Sequence, residues 1–190
     1  EINKLDLSWN IFFSNHNYLS SLNYFMIKFL KKNIIVNRFF YSDPYKKRIN
    51  DFFIKFSDKN YYPTIGWQRK KILEIFDINK PKKFNKFNYF NLMKNSKYCL
   101  SPFGWGEIAI RDFESFVNGC ILIKPDMGHI VTWPNLYIPN STYIPIEWSL
   151  SDLKKNLDYY KNNYSLLVNI ASEGQKIYKS HTEGINSGKN

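Results

Sequence analysis

A chain of 190 residues with 44% hydrophobic and 18% aromatic side chains is long and apolar enough to build one domain with its own core. No run approaches the roughly 20 uninterrupted apolar residues of a membrane-spanning helix, and no signal-peptide pattern stands at residue 1. The formal net charge of +11 raises nucleic acid as a partner, yet residues 1–95 carry 18 Lys and Arg against 7 Asp and Glu, whereas residues 96–190 carry 9 of each.

In chain order, residues 9–14 (WNIFFS) read as a strand, and residues 18–32 as a helix on which Leu19, Leu22, Phe25, Met26, Phe29 and Leu30 recur at helical spacing. Residues 34–41 read as a second strand and residues 42–44 (SDP) as a turn. Residues 49–56 are expected to form a helix with aromatic side chains on one side. Tyr61, Tyr62, Pro63, Gly66 and Trp67 suggest a loop, followed by a helix over residues 68–76 and a lysine-rich connection. Residues 85–95 read as a helix leading into an apolar strand over residues 97–101, closed by Pro102.

Residues 101–126, SPFGWGEIAIRDFESFVNGCILIKPD, organise the rest. Gly104 and Gly106 let the backbone turn tightly or approach a ligand, and Glu107 is expected to begin a helix that stops at Gly119. Residues 120–123 then form a continuous apolar run, as a strand buried on both faces of a parallel sheet requires. Strand, glycine turn, helix and parallel strand make a βαβ unit, and such sheets bind ligands beyond the carboxyl ends of their strands. The expected site is therefore the loop over residues 101–107. Residues 127–145, with three prolines, read as an ordered loop with a short strand near residues 142–146. Ser149 and Asp152 have capping-box-like spacing and open a helix through residue 161, with Leu150, Leu153 and Leu157 on one face. A last helix runs over residues 164–180, and residues 182–190 read as a frayed tail.

Helical geometry places Glu107, Arg111, Glu114 and Asn118 on one stripe, with Ala109, Ile110, Phe113, Phe116 and Val117 opposite. The stripe is either a solvated face stitched by ion pairs or a ligand face, whose carboxylates accept sugar or ribose hydroxyls while Arg111 offsets phosphate charge. The loop lacks both the Gly-Lys-Ser/Thr of a P-loop and the dinucleotide fingerprint. His129, three residues after Asp126, is an ordinary loop histidine or a residue reaching a ligand at the sheet edge. Three scattered histidines make no metal-ligand pattern, and Cys99 and Cys120, both in apolar strands, read as reduced core thiols of a cytoplasmic protein. Trp133, Tyr137 and Trp148 are packing residues or stacking surfaces for a base or sugar. The basic excess has two readings: the codon bias of an AT-rich genome, or a basic face built from Lys46, Lys47 and Arg48, from Arg69, Lys70 and Lys71, and from residues 80–86, meeting acidic lipids or anionic glycans.

The run SPFGWGEIAIRDFESFVNGCILIKPDMGHIVTWPNLY resembles the donor-binding C-terminal half of GT-B glycosyltransferases, in particular bacterial family 1-type proteins, and the likeness extends over residues 84–181. The resemblance implies an α/β fold: a Rossmann-like parallel sheet flanked by helices, spanning residues 1–181 as one donor-binding domain, with an acceptor domain upstream or absent. It also implies Glu114 on the ribose hydroxyls, Gly104, Trp105 and Gly106 along the diphosphate, and Arg111, Lys124 and His129 assisting. Glu107 stands one residue closer to Glu114 than the first Glu of the family's pattern. Such enzymes need no bound metal or other cofactor, and their catalytic base often lies in the other domain.

The expected function is transfer of a sugar from a nucleoside-diphosphate sugar to a hydroxyl of a glycan or lipid-linked acceptor in polysaccharide biosynthesis. The expected location is cytoplasmic, with peripheral contact to the inner membrane through the basic first half and no nucleic acid as partner. Two rivals accompany it: a module that binds nucleotide or carbohydrate without catalysis, and a basic nucleic-acid or membrane-surface protein.

Overall fold

The computed structural model describes residues 7–8, 41–56, 62–79 and 85–187. The expected strand over residues 9–14, helix over 18–32 and strand up to residue 40 lie outside them; Tyr41 is irregular. Four parallel strands form the sheet, in the order β2 (Asn50–Phe53), β3 (Ser96–Leu100), β4 (Ile121–Pro125), β6 (Ile144–Ile146). Helices flank it: α1 (Pro63–Ile75), α2 (Lys86–Lys94), α3 (Ile110–Asn118), α4 (Ser151–Asn162) and α5 (Tyr164–Ser187). A separate pair joins β1 (Leu7–Ser8) to β5 (Thr132–Trp133) in parallel. The architecture is α/β, and among the described residues no helix is long and apolar enough to cross a membrane.

Strand register sorts the core. Tyr98 pairs with Ile121, Leu100 with Ile123, and Ile123 in turn with Ile144; these pack with Ile72 and Leu73 of α1, Leu153 and Tyr160 of α4, and Ile170 and Ala171 of α5. Phe53, Cys99 and Leu122 face the other way, toward Met93 of α2 and the Phe113, Phe116 and Tyr178 side chains. Every residue of β4 is buried, as its apolar run requires. Each fully buried side chain such as Leu122 or Ile123 contributes about 1.5 to 3 kcal/mol relative to exposure.

Two glycines set the close contacts. Gly119 ends α3 at φ 64°, where a Cβ would lie 2.6 Å from the Ser42 carbonyl oxygen and 2.9 Å from Nη2 of Arg48. Gly174 lets α5 approach α3 so closely that a Cβ would meet the Phe116 ring at 2.8 Å. Arg48 is buried and donates to the carbonyls of Lys94 (2.7 Å), Ser96 (3.1 Å), Asp43 (3.2 Å) and Asn118 (2.9 Å). Its charge thus sits at the carboxyl ends of α2 and α3, where helix carbonyls attract a cation. The expected basic face accordingly loses Arg48, and Arg69, also buried, leaves it as well.

The structure corrects five local expectations. Residues 49–56 are not a helix: Asn50–Phe53 is a strand, and Phe53 and Ile54 join different core clusters, as alternation across a sheet demands. The expected loop through Gly66 and Trp67 is the first half of α1, begun by Pro63 at a position that needs no N–H. Helix α3 starts at Ile110 rather than Glu107, because Ala109 is extended (φ −116°, ψ 146°) and its N–H is taken by the Asp112 carboxylate at 3.0 Å. Before α4 no reciprocal capping box forms: Leu150 is the N-cap at φ 59°, Ser149 Oγ accepts from the Ser151 N–H, and Asp152 accepts from the Glu147 N–H. The last helix does not stop near residue 180 but continues to Ser187, with Thr182 buried against Tyr178 and Tyr41.

Candidate functional site at the carboxyl edge of the sheet

The loops that leave β3, β4 and β6 meet at the carboxyl edge. Their foundation is Asp112, at the third position of α3 and wholly buried. Its carboxylate accepts from Ser101 Oγ at 2.5 Å, the Ala109 N–H at 3.0 Å and the Tyr137 hydroxyl at 2.8 Å. Lys124 Nζ stands 3.1 Å from the same carboxylate and 5.1 Å from the centroid of the Phe103 ring. The approach to Asp112 is off the hydrogen-bond direction, and among the described residues the ammonium has no hydrogen-bond acceptor. Burial pushes the Lys124 ammonium toward deprotonation, against which the Asp112 charge holds it. Burial first, and then the Asp112 charge, push the Tyr137 phenol well up, so it stays a donor.

Lys124 was expected to contact a ligand; the structure instead buries it completely beneath Phe103, where it fastens the loop to β4. A lysine near a strand end reads alike in sequence whether it points out or in. Asp112, which no motif singled out, carries its signal in position: an acid three residues into a helix that begins without a capping side chain.

Above this foundation the loop is gripped by α1. Gln68 Oε1 accepts from the Phe103 N–H at 3.1 Å, Arg69 Nε donates to the Phe103 carbonyl at 3.3 Å, and Arg69 Nη2 lies 3.0 Å from where a Gly104 Cβ would be. The Gly104 N–H reaches back to the Gly106 carbonyl at 3.0 Å, which throws Trp105 outward; it is 74% exposed and meets Tyr62 edge to face at 6.2 Å. Gly106 is exposed, with open space around it. Glu107 lies outside α3, so the stripe through Glu107, Arg111 and Glu114 is broken. Its Oε1 faces Nε2 of His129 at 3.9 Å instead. Trp148 completes this cluster, packing edge to face on His129 (4.8 Å) and Phe103 (5.5 Å) while its indole N–H donates to the Asp126 carbonyl at 2.8 Å.

Neither a protein-family model nor a curated protein sequence matches this chain. The remaining expected residues form a second group, on the side of α3 turned to α2 and β2. Arg111 donates to the Lys55 carbonyl at 2.7 Å and stacks on Phe56 at 5.4 Å, and among the described residues it makes no ion pair with Glu107 or Glu114. Glu114 is buried and accepts from the Tyr89 hydroxyl at 2.6 Å. Burial raises the Glu114 carboxyl above its ordinary range, opposed by the Tyr89 hydrogen bond and the Arg111 charge. Asn118 turns inward, donating to the Glu114 carbonyl at 2.7 Å, so the solvated-face reading of the stripe fails along with its ion pairs. The structure therefore sets Glu107 beside His129, and Glu114 on the Tyr89 hydroxyl, around separate ends of one helix-and-loop unit.

Proposed function

We propose that this chain is the donor-binding part of a glycosyltransferase that moves a sugar from a nucleoside diphosphate to a glycan or lipid-linked hydroxyl. The observation that carries the reading is the convergence of three loops at the carboxyl ends of parallel strands, on Glu107, His129 and Trp148. Ligands of parallel α/β sheets lie at that edge. The resemblance of residues 101–137 to the donor half of GT-B enzymes, and with it a Rossmann-like fold, is in keeping with this placement.

In this reading the first N–H groups of α3 and the backbone of residues 104–106 bind the diphosphate, whose charge the helix dipole favours. Arg69 beside Gly104 adds positive charge. Glu114 accepts the ribose hydroxyls, Trp105 offers a stacking face, and Glu107 lies toward the sugar. Lys124 and Asp112 act from beneath by fixing the loop. Stabilising the departing diphosphate and a cationic sugar-like transition state is the chemical work. The protein then works where nucleotide sugars are available, in the cytoplasm or at the inner face of a membrane. Burial of Arg48 and Arg69 takes support from the rival basic-surface reading.

Calorimetry with UDP-, GDP- and dTDP-hexoses tests the proposal. Glu114→Ala is expected to weaken donor binding by about 1.5 to 3 kcal/mol, the range of a charged hydrogen bond. Unchanged affinity in this variant would remove Glu114 from the site.

A further inference from the structure

Donor binding alone does not account for the pair at the mouth of the site. His129 Nε2 faces Glu107 Oε1 at 3.9 Å, and the two side chains are 36% and 45% exposed. Trp148 holds the imidazole edge to face at 4.8 Å, and Trp148 is itself fixed by Phe103 and by the Asp126 carbonyl. An imidazole with one flank set against an aromatic ring, a carboxylate beside one nitrogen and access to solvent has the parts of a proton acceptor. A carboxylate in that position orients the ring and stabilises its cation.

We propose that His129 is the general base of the transfer step and that Glu107 is its positioning residue; this rests on the donor-binding reading. The N–H of His129 turns to Glu107 at Nε2, which leaves the lone pair on Nδ1. The acceptor oxygen bonds to the anomeric carbon, the bond from that carbon to the diphosphate oxygen breaks, and its electron pair leaves with the diphosphate. The hydroxyl proton goes to Nδ1. The resulting imidazolium faces Glu107, with Asp126 on its own loop, while Lys124 below is neutralised by Asp112 and Arg69 is held against Phe103. Catalytic contacts of this kind are often long before substrate binds and shorten afterwards. One direct displacement assisted by a base inverts the anomeric centre, so the stereochemistry follows from the assignment.

The test uses the full chain with UDP-, GDP- and dTDP-hexoses. Donor affinity is measured by calorimetry, and turnover to water and to added oligosaccharides by release of nucleoside diphosphate. His129→Gln is expected to lower kcat by about 10²- to 10⁴-fold while changing donor Kd by less than about fivefold. The melting temperature does not fall. Glu107→Gln lowers kcat while changing donor Kd by less than about fivefold, and Glu107→Asp restores part of the rate. The product carries the inverted configuration. Wild-type turnover in His129→Gln, a retained configuration, or a wild-type chain that binds donor without turning it over would each overturn the assignment. A wild-type chain that binds none of the donors removes the donor reading and this assignment with it.

Discussion

Replacing Asp112 by Asn should be among the most damaging single changes in the protein. Asp112 and Lys124 are both wholly buried, and the carboxylate is the sole anion within ion-pair distance of the ammonium among the described residues. The amide removes that charge and turns an NH2 group on at least one of the three donors from Ser101, Ala109 and Tyr137. Removing one partner of a buried pair costs about 3 to 5 kcal/mol, a large share of the roughly 5 to 15 kcal/mol that holds a domain. Lys124→Met should cost less, about 1 to 3 kcal/mol, because Asp112 keeps all three of its hydrogen-bond donors. The double variant should be more stable than Asp112→Asn alone, since no buried charge is left unpaired. Urea unfolding at pH 7, followed by circular dichroism and tryptophan fluorescence, measures all three. An Asp112→Asn loss below about 1 kcal/mol, or a double variant losing the sum of the two singles, would refute the ion-pair reasoning.

Gly119→Ala should destabilise by about 1 to 3 kcal/mol from its left-handed backbone alone, and more from contact with Ser42 and Arg48. Gly106→Ala, with nothing within 4 Å, should melt within about 0.5 kcal/mol of wild type, and the pair of melts compares them directly. Glu114→Gln tests the buried acid. Its raised folded pKa favours folding fully below the ordinary glutamate value of about 4.3, and that contribution is lost as pH rises through the folded value. The amide cannot ionise, so the variant should gain stability over wild type between pH 4 and pH 8; a pH-independent difference in urea midpoints would contradict the assignment.

Local sequence made several elements readable. Asn85 caps α2 through the Asn88 N–H, Gly119 caps α3, and the unbroken apolar run of β4 follows from burial on both faces. Strand β2 was misread because DFFIKF places aromatics at spacings that also fit a helical face, and only pairing with β3 decides between them. The start of α3 was misread because helical periodicity continues through Glu107, while a side chain five residues on, Asp112, decides where the helix opens. At the site, the loop was visible from its glycines, but the facing of its charges was not. Lys124 is buried beneath the Phe103 ring, and His129, in the turn after β4, stays partly exposed against the Trp148 ring; those are tertiary facts. Tyr89, the partner of Glu114, comes from a separate helix and carries no motif.

The most direct measurement is calorimetric titration of the wild-type chain and Glu114→Ala with the same UDP-, GDP- and dTDP-hexoses. The account predicts saturable binding of at least one donor by the wild type and a dissociation constant about 10- to 150-fold weaker in the variant. No heat of binding with any donor, or equal affinities in the two proteins, would contradict it.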